Sequence, residues 1–122
     1  MTETNIQSDL IQIGVTPAAD AIIQQLIERE WYSSEMGAFK AAVAYGLANG
    51  LAPTEGGGFQ TKWHVGGLDR SGELIEVVSM FYDGERPWDY IRRIGDAALK
   101  HLQPRIEMAD VPSDLFSSDG QG

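Results

Sequence analysis

Residues 10–50 read LIQIGVTPAADAIIQQLIEREWYSSEMGAFKAAVAYGLANG in one-letter code, and this stretch decides the fold. Its opening residues predict a short strand, because β-branched side chains occupy alternate positions and would share one face. These side chains belong to Ile11, Ile13 and Val15. Thr16 and Pro17 then predict a helix start, since threonine caps helix N-termini and proline suits the first helical position.

Two helices are predicted after this strand. The first, of about four turns, carries apolar side chains at three- and four-residue spacing. They are Ala19, Ile22, Ile23, Leu26 and Ile27. The second begins after Ser33 or Ser34, either of which can cap its N-terminus. Its alanines give it a high helix propensity, and Asn49 followed by Gly50 predicts its end.

This order of strand, helix, serine-containing turn and helix resembles the ribbon-helix-helix superfamily, and within it the ParD-type antitoxins. The resemblance covers residues 10–50 and rests on the turn at residues 31–35 and the alanine-rich stretch at residues 39–47. In that family two chains pair their strands into an antiparallel ribbon that enters the DNA major groove. The resemblance therefore implies a homodimer, double-stranded DNA as a partner and a role in transcription regulation.

The same resemblance assigns functional residues to both surfaces. Outward side chains of the ribbon would contact bases, and the start of the second helix would contact phosphates. The residues expected to bind DNA are Gln12, Gly14, Ser33, Ser34 and Lys40. Those expected at the dimer interface are Ile11, Ile13, Val15, Phe39 and Val43. The residues themselves leave an alternative open, in which the strand pairs with residues 62–65 of the same chain.

Beyond Gly50 the composition changes. Residues 51–61 contain Pro53 and three consecutive glycines, which predicts a flexible linker. Residues 62–103 predict a short strand and a two-helix module, the last helix ending before Pro104. Residues 104–122 predict an acidic tail. The expected fold is mainly α with a short β-ribbon, as a ribbon-helix-helix-like dimer with a C-terminal two-helix module.

Charge argues for a protein partner more strongly than for DNA. The 122 residues carry 18 acidic and 9 basic side chains, a net charge of -9. A negative surface repels phosphates unless its cations are gathered on one face. Five acids face one base within residues 1–34, and four acids face one base within residues 104–122. The acidity therefore belongs mainly to the two ends.

Two further groups of residues predict partner binding. Arginines interleaved with aromatic residues would suit a phosphate or an acidic peptide. An alternative is that these arginines pair with Asp89 and Asp96 on the same helix. The acidic tail also carries an apolar pair typical of a docking peptide. The expected partner-binding residues are Arg86, Trp88, Arg92, Arg93, Leu115 and Phe116.

The remaining chemistry-bearing residues predict neither catalysis nor a cofactor. The chain has no cysteine and two histidines, and His64 is interpreted as a half-buried residue at a strand end. No apolar run reaches the roughly 20 residues of a membrane span, and residues 1–9 lack the pattern of a secretory signal, so we expect a cytoplasmic protein. The leading function is a small dimeric regulator. The alternative is an accessory or adaptor subunit of a larger bacterial complex, for example in phage defence.

Overall fold

The computed structural model describes residues 9–116 of the chain. The fold is mainly helical with a two-stranded antiparallel ribbon, as the sequence predicts. Its elements in chain order are β1 (Gln12–Val15), α1 (Pro17–Glu28), α2 (Glu35–Ala48), β2 (Gln60–His64), α3 (Val65–Leu68), α4 (Glu73–Val78), α5 (Pro87–Met108) and a 3-10 helix (Pro112–Phe116).

Local capping signals set the bounds of α1 and α2. The Thr16 hydroxyl accepts a hydrogen bond from the backbone N–H of Ala19 at 3.1 Å. Of the two candidate serines, Ser34 is the cap, because its hydroxyl accepts the N–H of Gly37 at 3.0 Å. The helix α2 ends at Ala48 and is followed by Asn49 and a left-handed Gly50, with φ of 62°. The predicted caps of α1 and α2 and the predicted end of α2 are therefore confirmed. The predicted length of α1 is too long, because the helix has 12 residues and so about three turns rather than four.

The ribbon forms within one chain. Gln12 lies opposite His64 and Val15 lies opposite Gln60, with an irregularity in the register after Ile13. The pairing implied by the family resemblance, between the strands of two chains, is therefore not the one observed, and the intrachain alternative is. Pairing within one chain costs only the entropy of closing the connecting loop. Pairing between two chains costs more, because association also removes translational and rotational freedom.

The prediction that Ile11, Ile13 and Val15 share one face is wrong for Ile11. Ile13 and Val15 are buried, with 1% and 5% exposure, whereas Ile11 is 73% exposed. The chain bends at Ile11, before β1 begins, so its side chain leaves the face that Ile13 occupies. Leu10 packs against the core in its place.

The helix α5 lies at the centre of the fold and packs against α1, α2, α4, β1 and the 3-10 helix. It lies close to α2 at Gly95, where a Cβ atom would lie 2.5 Å from the ring of Phe39. Phe39 and Val43 are both fully buried at this contact. They therefore belong to the core of one chain, which corrects their assignment to a dimer interface.

The predicted linker does not separate the packing of the two halves. Arg93 of α5 donates to the carbonyl oxygens of Thr54 at 3.1 Å and Gly56 at 2.6 Å, and the Thr54 N–H donates to the Arg93 carbonyl. Residues from both sides of the linker also share one hydrophobic core. Residues 51–61 thus form a loop that hydrogen bonds hold against α5.

The helix α5 continues through Pro104 to Met108, so the predicted end before Pro104 is wrong. Proline in a helix interior costs about 3 kcal/mol. Leu102 and Ile106 flank it and are buried to 1% and 0% exposure, and each such side chain contributes about 1.5–3 kcal/mol. Burial on both sides of Pro104 therefore offsets the lost backbone hydrogen bond.

Candidate functional site

The ribbon brings together few of the residues expected to contact DNA. Gln12 is exposed, and its side-chain nitrogen lies 3.5 Å from Nε2 of His64. His64 is exposed rather than half-buried. Gly14 is buried and lies against the backbone of Gln60. Base reading by β1 would therefore depend on Gln12 alone.

The cation of the ribbon is already paired. Lys62 in β2 lies 3.0 Å from the Asp20 carboxylate of α1 and 2.9 Å from the Glu35 carboxylate of α2. Gln24 also donates to Glu35, at 2.7 Å. The hydrogen bond to Glu35 is the main influence that raises the pKa of Lys62. This cluster ties β2 to both helices and neutralises the positive charge that a DNA phosphate would need.

The residues predicted to bind phosphate are divided between two places. Ser33 and Ser34 are exposed at the start of α2, where the Ser34 hydroxyl caps the helix. Lys40 is half-buried and lines a groove between α2 and the segment that contains α3 and α4. DNA binding by these residues stays a prediction.

Arg92 and Arg93 of the predicted cluster are neutralised by Asp89, as the alternative interpretation expects. Asp96 pairs with Lys100 instead. The Asp89 carboxylate lies 2.7 Å from Arg92 and 3.0 Å from Arg93. Both guanidinium groups also lie over the ring of Phe59, at 4.6 and 5.4 Å. Burial alone would raise the pKa of Asp89, but the two arginines outweigh it and hold the pKa below its usual range.

Two more of the expected partner-binding residues belong to the core. Trp88 is 5% exposed, and its backbone N–H donates to the Asp9 carboxylate at 2.9 Å, which caps α5 from outside the helix. Leu115 is fully buried, and Arg105 donates to its carbonyl oxygen at 2.7 Å. Both side chains are therefore covered by their own chain. The Phe116 side chain lies outside the described part of the structure.

Asp96 has a structural role that the sequence analysis missed. It is 1% exposed and accepts a hydrogen bond from the Thr16 hydroxyl at 2.7 Å, while Lys100 lies 3.0 Å from its other oxygen. Burial would raise the pKa of Asp96, but the hydrogen bonds from Thr16, Thr54 and Lys100 outweigh it and lower the pKa. Lys100 is four residues from Asp96 on the same helix and within its reach, whereas only the packing of α1 against α5 brings Thr16 to it.

A concave surface lies between α2 and the segment that contains α3 and α4. It is an open groove of about 460 Å³, within the usual range of ligand-binding clefts. Its apolar lining comes from one stripe of α2 and from the facing residues of α3 and α4. These residues are Ala44, Leu47, Leu68, Leu74 and Val77.

Charged residues border this groove. Lys40 and Arg70 lie at its edge, and within residues 9–116 neither forms an ion pair. The Asp69 carboxylate accepts the backbone N–H groups of Leu74 at 2.9 Å and Ile75 at 3.0 Å, so it caps α4. Such capping is the ordinary role of an aspartate at a helix start.

An exposed apolar lip begins at Val77, which lines the groove, and continues past the end of α4. Val77, Met80 and Phe81 are 43%, 76% and 55% exposed. Met80 and Phe81 follow Val77 at the three- and four-residue spacings that place side chains on one side of a helical turn. We call these three residues the α4 lip. In the sequence, Val77 and Phe81 continue an apolar pattern with helical spacing, which gives no sign of their exposure.

Between residues 9 and 116, no group of three or more His, Asp or Glu side chains is placed to hold a metal ion. In the same residues, no helix has both the length and the apolar character of a membrane span.

Comparison of the chain with protein-family models, with curated proteins and with solved structures finds no match. The ribbon-helix-helix resemblance therefore stays a prediction, and the argument for function depends on the residues and their geometry.

Proposed function

We propose that this protein is a non-enzymatic subunit that binds another protein through the groove between α2 and α4 and through the α4 lip. The observation that carries the proposal is the exposure of Val77, Met80 and Phe81 beside a mainly apolar groove. Contiguous exposed apolar surface of this kind is typical of protein interaction sites. This is the adaptor role, the alternative to the regulator that the family resemblance implies.

The cations also favour the adaptor over the DNA-binding regulator. Lys62, Arg92 and Arg93 are all paired with carboxylates of the same chain. Non-specific affinity for DNA comes mainly from cations that neutralise phosphates, so these paired side chains would contribute little. The α4 lip needs no such charge, because aromatic and methionine side chains provide the apolar contacts at the centre of protein interfaces.

A site-specific photo-crosslinker tests the proposal in the cells that make the protein. We would place the crosslinking amino acid at Met80, and at exposed Gln103 on α5 as a control. We expect one adduct of defined mass from Met80 and none from Gln103. Val77→Asp should remove the Met80 adduct, because a charge at the groove edge would have to be desolvated on binding.

The outcome that contradicts the proposal is equally specific. If Met80 gives no adduct, or only the same adducts as Gln103, the α4 lip is not a binding surface. An adduct of twice the chain's own mass would identify a second copy and would also contradict a separate partner. Circular dichroism of Val77→Asp checks that the variant is folded.

A further inference from the structure

Unpaired positive charge is concentrated at the groove between α2 and α4. Most cations among residues 9–116 contact a carboxylate, a carbonyl oxygen or an aromatic ring. Lys40, Arg70 and Arg86 make no such side-chain contact in this part of the chain. Two of these three border the same groove. In a chain with twice as many acids as bases, this leaves two cations available where an apolar surface is also open.

We infer that the groove binds a short acidic, amphipathic helix of a partner protein, with its apolar side chains against Leu74 and Val77 and its carboxylates beside Lys40 and Arg70. This inference rests on the proposed function, since it names the chemistry of the partner at that surface. A charge-assisted hydrogen bond from a lysine or arginine to a carboxylate is stronger than a neutral one. Charge complementarity would also select against basic partners.

The dimensions of the groove suit a helix. Lys40, Ala44 and Leu47 follow one another at helical spacing along a single face of α2. This stripe has a length of roughly 10 Å at 1.5 Å per residue, or about two helical turns. A partner helix of similar length can place apolar side chains at positions i, i+4 and i+7 in the groove, which is a common mode of peptide recognition.

Two carboxylates line the groove beside the two cations, and one of them is exposed. Glu73 is exposed at the start of α4 and borders the same groove. Asp69 also lies there, but its two oxygens accept backbone N–H groups of α4. Glu73 is therefore the residue whose charge reversal should strengthen the binding of an acidic helix.

A displayed library of random dodecapeptides tests the inference with the full-length protein as bait. We expect the enriched peptides to carry Asp or Glu together with apolar residues at three- and four-residue spacing. Fluorescence anisotropy then measures a selected peptide against Lys40→Glu, Arg70→Glu and, as the matched control, Arg86→Glu. We expect each groove variant to bind about tenfold more weakly, and Arg86→Glu to bind like the native protein.

Glu73→Lys provides the opposite test and should tighten the same peptide several-fold. All four substituted side chains are exposed or half-buried, so the variants should fold, which circular dichroism checks. The inference is wrong if nothing is enriched, if the enriched peptides lack an excess of acids, or if the groove variants bind them unchanged. A Met80 adduct that persists alongside any of these results would leave the proposed function standing and reject only the acidic helix.

Discussion

The hydrogen bond from Thr16 to Asp96 joins the start of α1 to the middle of α5 across 80 residues of sequence. We predict that Thr16→Val, which replaces the hydroxyl by a methyl group of similar size, destabilises the protein by about 2–4 kcal/mol. Loss of a helix N-cap costs about 1 kcal/mol, because the Ala19 N–H loses its acceptor. Loss of a buried hydrogen bond to a charged carboxylate adds about 1.5–3 kcal/mol.

Thr16→Ser is the matched control, since serine keeps the hydroxyl and is an equally good cap. Its cost should stay below about 1 kcal/mol, the value of the lost methyl group. Urea unfolding followed by far-UV circular dichroism measures both variants by linear extrapolation. A Thr16→Val variant within about 0.5 kcal/mol of the native protein would refute the reasoning, because surface substitutions without a structural role fall in that range.

The same contact predicts a dependence on pH. The pKa of Asp96 is lower in the folded protein than its usual value, because the hydrogen bonds and Lys100 outweigh the effect of burial. The stability that ionised Asp96 contributes is therefore fully present above pH of about 4, the value for an unfolded chain, and is lost as the pH falls through the lowered folded pKa. The difference in unfolding free energy between the native protein and Asp96→Asn should shrink over that acidic range. A difference that stays constant down to the lowest pH at which the protein folds would show that Asp96 is not the titrating group.

Four further predictions test the packing and the ribbon. Leu115→Ala should lower the unfolding free energy by about 2–5 kcal/mol in urea titrations, because Leu115 is fully buried, and a loss below 1 kcal/mol would mean that the 3-10 helix does not anchor there. Gly95→Ala should cost about 1–3 kcal/mol in the same assay, since its Cβ would overlap the ring of Phe39, and unchanged stability would show that the two helices can separate without cost. Pro104→Ala should raise the thermal midpoint, because alanine restores a backbone donor inside α5, and a lowered midpoint would contradict the offset argued for this helix. DNA titrations over a salt series should show no preference for the protein's own promoter, whereas specific binding lost in Gln12→Ala would favour the regulator.

Local signals made much of the first half of the fold predictable. The Thr16 and Ser34 caps and the Gly50 stop each depend on residues within one helical turn, so the sequence alone carries them. The pairing of β1 with β2 depends on residues almost 50 positions apart, and the sequence could only offer it as one of two alternatives. The family resemblance favoured the other alternative because it covers a single strand and excludes the second.

The second half was harder to predict because its local signals were outweighed by packing. Pro104 is a reliable stop signal in isolation, yet the burial of Leu102 and Ile106 carries α5 past it. An acidic segment with two apolar residues is typical of a disordered tail, yet Leu115 finds a fully buried position beside α5. In both places the energy of apolar burial exceeds a local preference worth about 3 kcal/mol or less.

The groove could not have been predicted, for a reason that lies in the length of α4. Leu47 on α2 and Leu74 on α4 both follow the periodic pattern of core residues, and the pattern alone would pack them against each other. With six residues, α4 packs chiefly against α5, and its apolar side remains separated from α2. Leu47 is almost fully buried, whereas Leu74 and Val77 of α4 stay partly exposed and form an apolar side without a second side to pack against. A partner helix would supply that second side. The peptide-binding experiments on the groove therefore also test whether a partner completes the packing of α4.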